Sequence, residues 1–205
     1  MNAATLQHYQ QENRRLRAEN EKLLEENVAL RSYLTVLEEL YQATQEITSK
    51  DNLFELLNVI LYSAMRVIRA EDGSLLLHDE SNGELEFVLV HSQIQQELIG
   101  HRIPEDEGVA GWVARNKSPL IVNRPRQDPR FSDSVDSAFN FSTSGLVAVP
   151  MMTGDKLMGV IELLNKEDHT DFNSTDTLLL LILGQAAATA LEEIRRHTET
   201  GPGAE

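Results

Sequence analysis

Tyr9, Leu16, Leu23, Leu30 and Leu37 recur every seven residues, and Leu6, Asn13, Asn20, Asn27, Leu34 and Tyr41 recur with the same period three residues N-terminal to them. A seven-residue apolar repeat underwinds the helix to 3.5 residues per turn and keeps one seam facing a partner, so a left-handed coiled coil is predicted. The first series occupies d positions and the second a positions. Asn at a is unfavourable unless it meets a second Asn across a two-stranded parallel seam, so Asn13, Asn20 and Asn27 specify a parallel, in-register homodimer. Glu12 is placed to reach Arg17 of the other chain, and Glu26 to reach Arg31, each exposed pair being worth only a few tenths of a kcal/mol. The pattern continues through Leu40, Thr44 and Ile47 until Ser49 to Asn52 breaks it. The coil is therefore assigned to residues 1–50.

A chain of 205 residues leaves room beyond the coil for one core-forming domain. The net charge of −15 repels phosphate backbones and anionic headgroups, so no nucleic acid and no membrane is expected as a direct partner. A basic-region zipper is excluded on the same ground, because only Arg14, Arg15 and Arg17 cluster and they lie inside the heptads. The absence of cysteine removes disulfides, thiolate metal sites and cysteine nucleophiles together. The N-terminus is polar, and the longest apolar run, Leu178 to Leu183, is far shorter than the ~20 residues of a spanning helix. A cytoplasmic protein is expected.

Residues 51–197 read as one α+β domain. Leu53, Leu56, Leu57, Ile60, Leu61, Ala64 and Val67 follow a one-faced helical period, with Asn52 and Glu55 as a capped start. Ser74 to Asp79 and Glu84 to His91 are extended and flank Asn82-Gly83, a hairpin signal because both residues tolerate positive φ. Gly145 to Met151 and Leu157 to Asn165 form a second pair around Gly154, and Leu120 to Asn123 supplies another strand, giving a central antiparallel sheet of five or six strands. Gly108 to Arg115 is predicted as a short helix and Arg124 to Phe131, with Pro125 and Pro129, as a loop. A last helix runs from a cap at Asn173 and Asp176 to Arg196, and residues 198–205 are expected to be a disordered tail.

Several segments in order carry a resemblance: Gly73-Ser74-Leu75-Leu76-Leu77, Ile103-Pro104, Gly108-Val109-Ala110-Gly111-Trp112-Val113-Ala114, Asp128-Pro129-Arg130-Phe131, Leu146-Val147-Ala148-Val149-Pro150 and Gly159-Val160-Ile161-Glu162-Leu163-Leu164-Asn165-Lys166. From Leu53 to Arg196 the chain resembles a GAF domain. The resemblance implies a GAF-like sheet with the terminal helices on one face and a ligand pocket on the other, roofed by the middle segment. Among members of known ligand it is most similar to those that bind cyclic nucleotides, through Asn165, Lys166, Phe172 and Asp176, although Thr177 replaces that motif's final glutamate. These four residues are expected to form a structural clamp, with Lys166 and Asp176 as an ion pair at the pocket's edge. By the same resemblance Ser74, Asp136, Thr143 and Glu162 fall at polar ligand-contact positions. His91 and Phe139 also fall at ligand positions, yet Val90 and His91 replace a stacking aromatic and its acidic neighbour, and Phe139 replaces a hydroxyl.

His78, His91, His101 and His169 lack metal-ligand spacing, so no metal site is expected, and Trp112 reads as core. Without cysteine a covalent bilin is excluded, while a histidine-ligated haem or a cyclic nucleotide is compatible with the residues. No nucleophile elbow, phosphate-binding glycine loop or zinc-protease helix is present, so no enzyme is expected. The function implied is a small-molecule sensor coupled to a dimeric coil, with a signalling protein acting in trans as its output. The alternative is a dimerisation or interaction scaffold with a vestigial pocket. Removing residues 1–36 is expected to convert a dimer into a monomer; sedimentation equilibrium of the full and shortened chains reads this directly, and an unchanged dimer would assign association to the domain.

Overall fold

The computed structural model describes residues 9–20, 23, 24, 27 and 50–199, with side chains from 53 to 196 in the second stretch. The predicted seam positions Leu6, Leu30, Leu34, Leu37 and Tyr41, the Glu26–Arg31 pair and residues 200–205 lie outside the described residues. The chain divides into two units, at residues 1–39 and 40–205. In the first, residues 9–20 form helix α1, in which Tyr9 and Leu16 are more than half exposed.

The second unit begins with α2 (Lys50–Ile68). The break expected at 49–52 is absent from Lys50 to Asn52, so Asn52 lies within the helix rather than capping it. No proline or glycine stands there, and Asp and Asn inside a helix each cost well under about 1 kcal/mol. Six strands follow: β1 (Ala70–Asp79), β2 (Glu84–His91), β3 (Arg102–Pro104), β4 (Leu120–Val122), β5 (Leu146–Thr153) and β6 (Lys156–Lys166). Short helices α3 (Gln95–Leu98), α4 (Gly108–Asn116) and α5 (Ser134–Phe139) and a 3₁₀ turn at Pro125–Gln127 lie between them, and α6 (Ser174–Glu199) ends the unit. The strands form one antiparallel sheet in the order β3-β2-β1-β6-β5-β4. Strand β3 and helices α3 and α5 were not legible, because each is too short to show a period.

Leu56, Leu57, Ile60, Leu61 and Ala64 of α2 and Leu180, Ala187 and Ala188 of α6 are fully buried on one side of the sheet. Ser174–Arg196 is long and apolar enough by composition to cross a membrane. Here it packs on β5 and α2 as a core helix. It continues past Arg196 and past the predicted start of the tail to Glu199, since no breaker precedes Gly201. Its N-terminus is a reciprocal cap: Asn173 Oδ1 accepts the Thr175 and Asp176 amides at 2.8 and 3.2 Å, and Asp176 Oδ2 accepts the Asn173 amide at 2.9 Å.

Two bulges interrupt the ladders. Leu75 pairs with Leu89 and Leu76 with Phe87, so Val88 is the extra residue of β2; Met151 pairs with Gly159 and Met152 with Leu157, so Met158 is the extra residue of β6. A bulge reverses which face later side chains take. At Gly159 an added Cβ would stand 2.0 Å from the Leu76 carbonyl oxygen. Gly159→Ala is therefore expected to destabilise the domain by about 3 kcal/mol or more, whereas Gly145→Ala, whose Cβ meets only ordinary contacts, should change it by under about 1 kcal/mol. Urea denaturation of both variants checks the contrast.

Candidate functional site

On the sheet face opposite α2 and α6, the strands, α4, α5 and the segments around them enclose a cavity of about 90 Å³. Its floor follows from strand alternation. Ile161 and Leu163 are fully buried on the helical side, whereas Glu162 and Leu164 project into the cavity, and Ser74, paired in register with Glu162, projects beside it from β1. Glu162 is 8% exposed, and the one hydrogen bond it receives, from Ser74 Oγ, is 3.5 Å long. Burial pushes its carboxyl up to about 7, because no cation and only that weak donor offset the desolvation.

The roof is held by carboxylates whose bonds are made. Asp136 of α5 accepts the Thr143 amide at 3.0 Å, the Thr143 hydroxyl at 2.8 Å and Arg126 Nη2 at 2.9 Å. It thereby ties α5 to both the 3₁₀ turn and the approach to β5. Glu107, at the N-terminus of α4, accepts the Ser132 hydroxyl at 2.9 Å and also that of Ser134. The Ser134 and Ser132 bonds hold its carboxyl below the usual range. Asp128 takes a bidentate pair from Arg130 at 2.8 and 2.6 Å, and the Arg130 guanidinium lies 5.3 Å from the Trp112 ring centre. Asp128-Pro129-Arg130-Phe131 thus fastens the roof to α4, and Phe131 lines the cavity with Arg126 5.5 Å above its ring. Trp112 packs against the apolar cluster of this face.

The residues expected as a clamp lie beyond the lining. Lys166 Nζ is 2.8 Å from Asp176 Oδ2 and 5.6 Å from the Phe172 ring centre, joining the end of β6 to the start of α6. Asn165, with φ at 54°, accepts the Ser144 amide at 2.8 Å and donates to Asp72 Oδ2 at 2.9 Å.

The structure brings Ser74, Asp136, Thr143 and Glu162 together around the cavity, but not His91 or Phe139. The bulge at Val88 turns Val90 into the cavity and His91 to the helical side, where its Nε2 hydrogen-bonds with Asn58 Oδ1 at 2.9 Å and burial lowers its pKa. Phe139 ends α5 and sets its ring 5.5 Å from that of His101; the left-handed turn at Asn140, with φ at 51°, brings Phe141 to the lining instead. Sequence reasoning missed Asp72, Glu107, Ser92 and Phe141, which also line the cavity. Only for Glu107 was a signal available, its place directly before the glycine that opens α4. Ser92 Oγ is buried and has no hydrogen-bond partner. Among the described residues no group of His, Asp and Glu is arranged to hold a metal.

A family model described as GAF domain matches residues 51–192. A probable 3',5'-cyclic phosphodiesterase of Caenorhabditis elegans is 28% identical over 121 residues, which are 53% of this chain and 16% of the relative. The rod cGMP-specific 3',5'-cyclic phosphodiesterase subunit alpha of Bos taurus is 30% identical over 125 residues, 61% of this chain and 14% of the relative. The chain therefore spans less than a fifth of the length of either. In fold, the GAF domain from a phosphoenolpyruvate-protein phosphotransferase of Coxiella burnetii is similar with a TM-score of 0.68 at 19% identity, over 81% of this chain and 98% of that one.

The state of Glu162 sets a stability prediction. Its folded pKa lies above the unfolded value, so between about pH 4.5 and 7 the folded state binds more protons and stability falls as pH rises. Glu162→Gln lacks this loss. Its stability relative to the native chain is expected to rise by about 3 kcal/mol from pH 4 to pH 8, read by urea denaturation, whereas a constant difference would show that Glu162 does not titrate in this window.

Proposed function

The chain belongs to the GAF domain family of sensor and regulatory modules, and on that premise we propose that it is a non-enzymatic small-molecule sensor whose ligand occupies the cavity above Ser74 and Glu162. The observation that carries the reading is Glu162 itself. A buried carboxylate with one 3.5 Å hydrogen bond is costly to the fold, and such a cost is retained where a ligand supplies the missing partner. The roof over it is held by polar bonds at Asp136, Glu107 and Asp128, a set that a ligand can rearrange without disturbing the apolar helical side. The uncovered Tyr9, Leu16 and Leu23 favour a homodimer through the predicted coil, and ligand coupling to that coil needs a differential affinity of ~1–3 kcal/mol between two coil states. A signalling protein acting in trans in the cytoplasm completes this proposal.

Cyclic nucleotides are the first compounds to try, given the phosphodiesterase relatives. Small-molecule pockets usually measure ~300–1,000 Å³, so a nucleotide would require the roof to lift from a cavity of about 90 Å³. A scaffold reading is favoured by a different observation: Phe54, Tyr62, Leu178 and Ile182 of α2 and α6 are about half exposed, large apolar side chains of the kind that dock protein. A thermal-shift screen of the full chain against cyclic AMP, cyclic GMP and small metabolites separates the two. Saturation at ~100 times the dissociation constant should add ~2.7 kcal/mol, a rise of about 5–10 °C. A flat response to every compound would leave the scaffold reading standing.

A further inference from the structure

The cavity's charge is one-sided. Asp72, Glu107, Asp136 and Glu162 line it, and among the described residues no Lys, Arg or His does. Arg126 offsets Asp136, but Asp72, Glu107 and Glu162 have no ion-pair partner among the described residues. The positive end of α4 also faces this space, at Gly108 to Ala110, yet Glu107 sits directly at that terminus with its carboxylate held in place by Ser132 and Ser134. An anion entering here meets no free counter-charge in a low-dielectric enclosure, where like-charge repulsion is weakly screened. A cation meets a carboxylate lacking a strong partner. The remaining walls, Phe87, Val90, Leu98, Ile103 and Leu146 among them, suit an apolar body.

We propose that the ligand is a small organic cation, an ammonium or amidinium carried on an apolar skeleton, whose charged group binds Glu162 and whose further N–H donors reach the acceptors around it. The inference rests on the sensor reading and narrows it. Its support is a carboxylate that is 8% exposed and nearly unpartnered, an unpartnered Ser92 Oγ in the same lining, and the absence of any lining cation among the described residues. Charge-assisted hydrogen bonds are about twice as strong as neutral ones, so the ammonium or amidinium gains more at Glu162 than an alcohol or amide of the same shape.

The test uses the full chain and skeletons matched in all but charge: isobutylamine, isobutanol and isobutyrate, and benzamidine, benzamide and benzoate. Calorimetry and ligand-observed NMR are expected to show the amine or amidine binding at least tenfold more tightly than its neutral and anionic partners. Glu162→Gln should remove that preference while unfolding at or above the native temperature. Ser74 of β1 donates to Glu162, and the charged groups that share its cavity are Asp72 from β1, Glu107 before α4, and Asp136 with Arg126 behind it from the roof. With Glu162 titrating near 7, affinity for the cation should rise about tenfold from pH 6 to pH 8. Tighter binding of benzoate, isobutyrate or cyclic GMP in the cavity would overturn the cation inference and leave the sensor reading intact. Cation binding unchanged in Glu162→Gln would also overturn it, by locating the contact elsewhere. If neither these probes nor any metabolite binds, both readings fall together.

Discussion

The pairing of β1 with β6 joins residues near the start and the end of the domain, Ala70 opposite Lys166 through to Leu77 opposite Gly159, and everything else is arranged around it. It places β1 and β6 at the centre of the sheet, so that both faces of each are covered. Its hydrogen bonds connect the two hairpins, and its close approach at Gly159 is compatible only with a residue lacking Cβ. Because side chains alternate along both strands, the same ladder delivers Leu75, Ile161 and Leu163 to the helices and Ser74 and Glu162 to the cavity. A register shift of one residue would exchange the two sets and bury the carboxylate among leucines.

The faces differ in what holds them. Behind the sheet, α2 and α6 pack through fully buried aliphatic side chains, where rearrangement would open cavities costing several kcal/mol. In front, α5, the 3₁₀ turn and the approach to β5 are joined largely through the oxygens of a single Asp136, and α4 is fastened to the roof by Glu107 and by Arg130 on Asp128. Those bonds are directional and exchangeable with solvent or ligand. The rear is thus held by close apolar packing and the front by a small set of polar bonds.

The front also concentrates charge. Among the described residues Glu162 is the buried carboxylate with the weakest compensation, its pKa raised by burial, while Glu107 and Asp128 are lowered by the bonds they accept. Carboxylates around one cavity thus divide into bonded anions that hold the roof and one buried acid on the floor without a strong partner. That division, rather than the number of acidic residues, distinguishes Glu162 from the other carboxylates of the cavity.

Period and turn chemistry alone determined much of this protein. The two hairpins at Asn82-Gly83 and Gly154, the helices over Leu53 to Ile68 and after Asn173, and the sheet class follow from spacing, because each is a local rule repeated over enough residues to be read. The resemblance to cyclic-nucleotide-binding GAF domains put Ser74, Asp136, Thr143 and Glu162 at polar contact positions, and the fold gathers all four around the cavity. His91 and Phe139 were misplaced for a tertiary reason: a single extra residue at Val88 reverses the facing of β2, and a left-handed turn at Asn140 exchanges Phe139 for Phe141. Neither leaves a mark in composition or period. The uncompensated state of Glu162 was likewise decided only by folding, since it depends on which charges the roof brings near it and which it leaves paired with one another, and that is a property of distances between segments far apart in the chain.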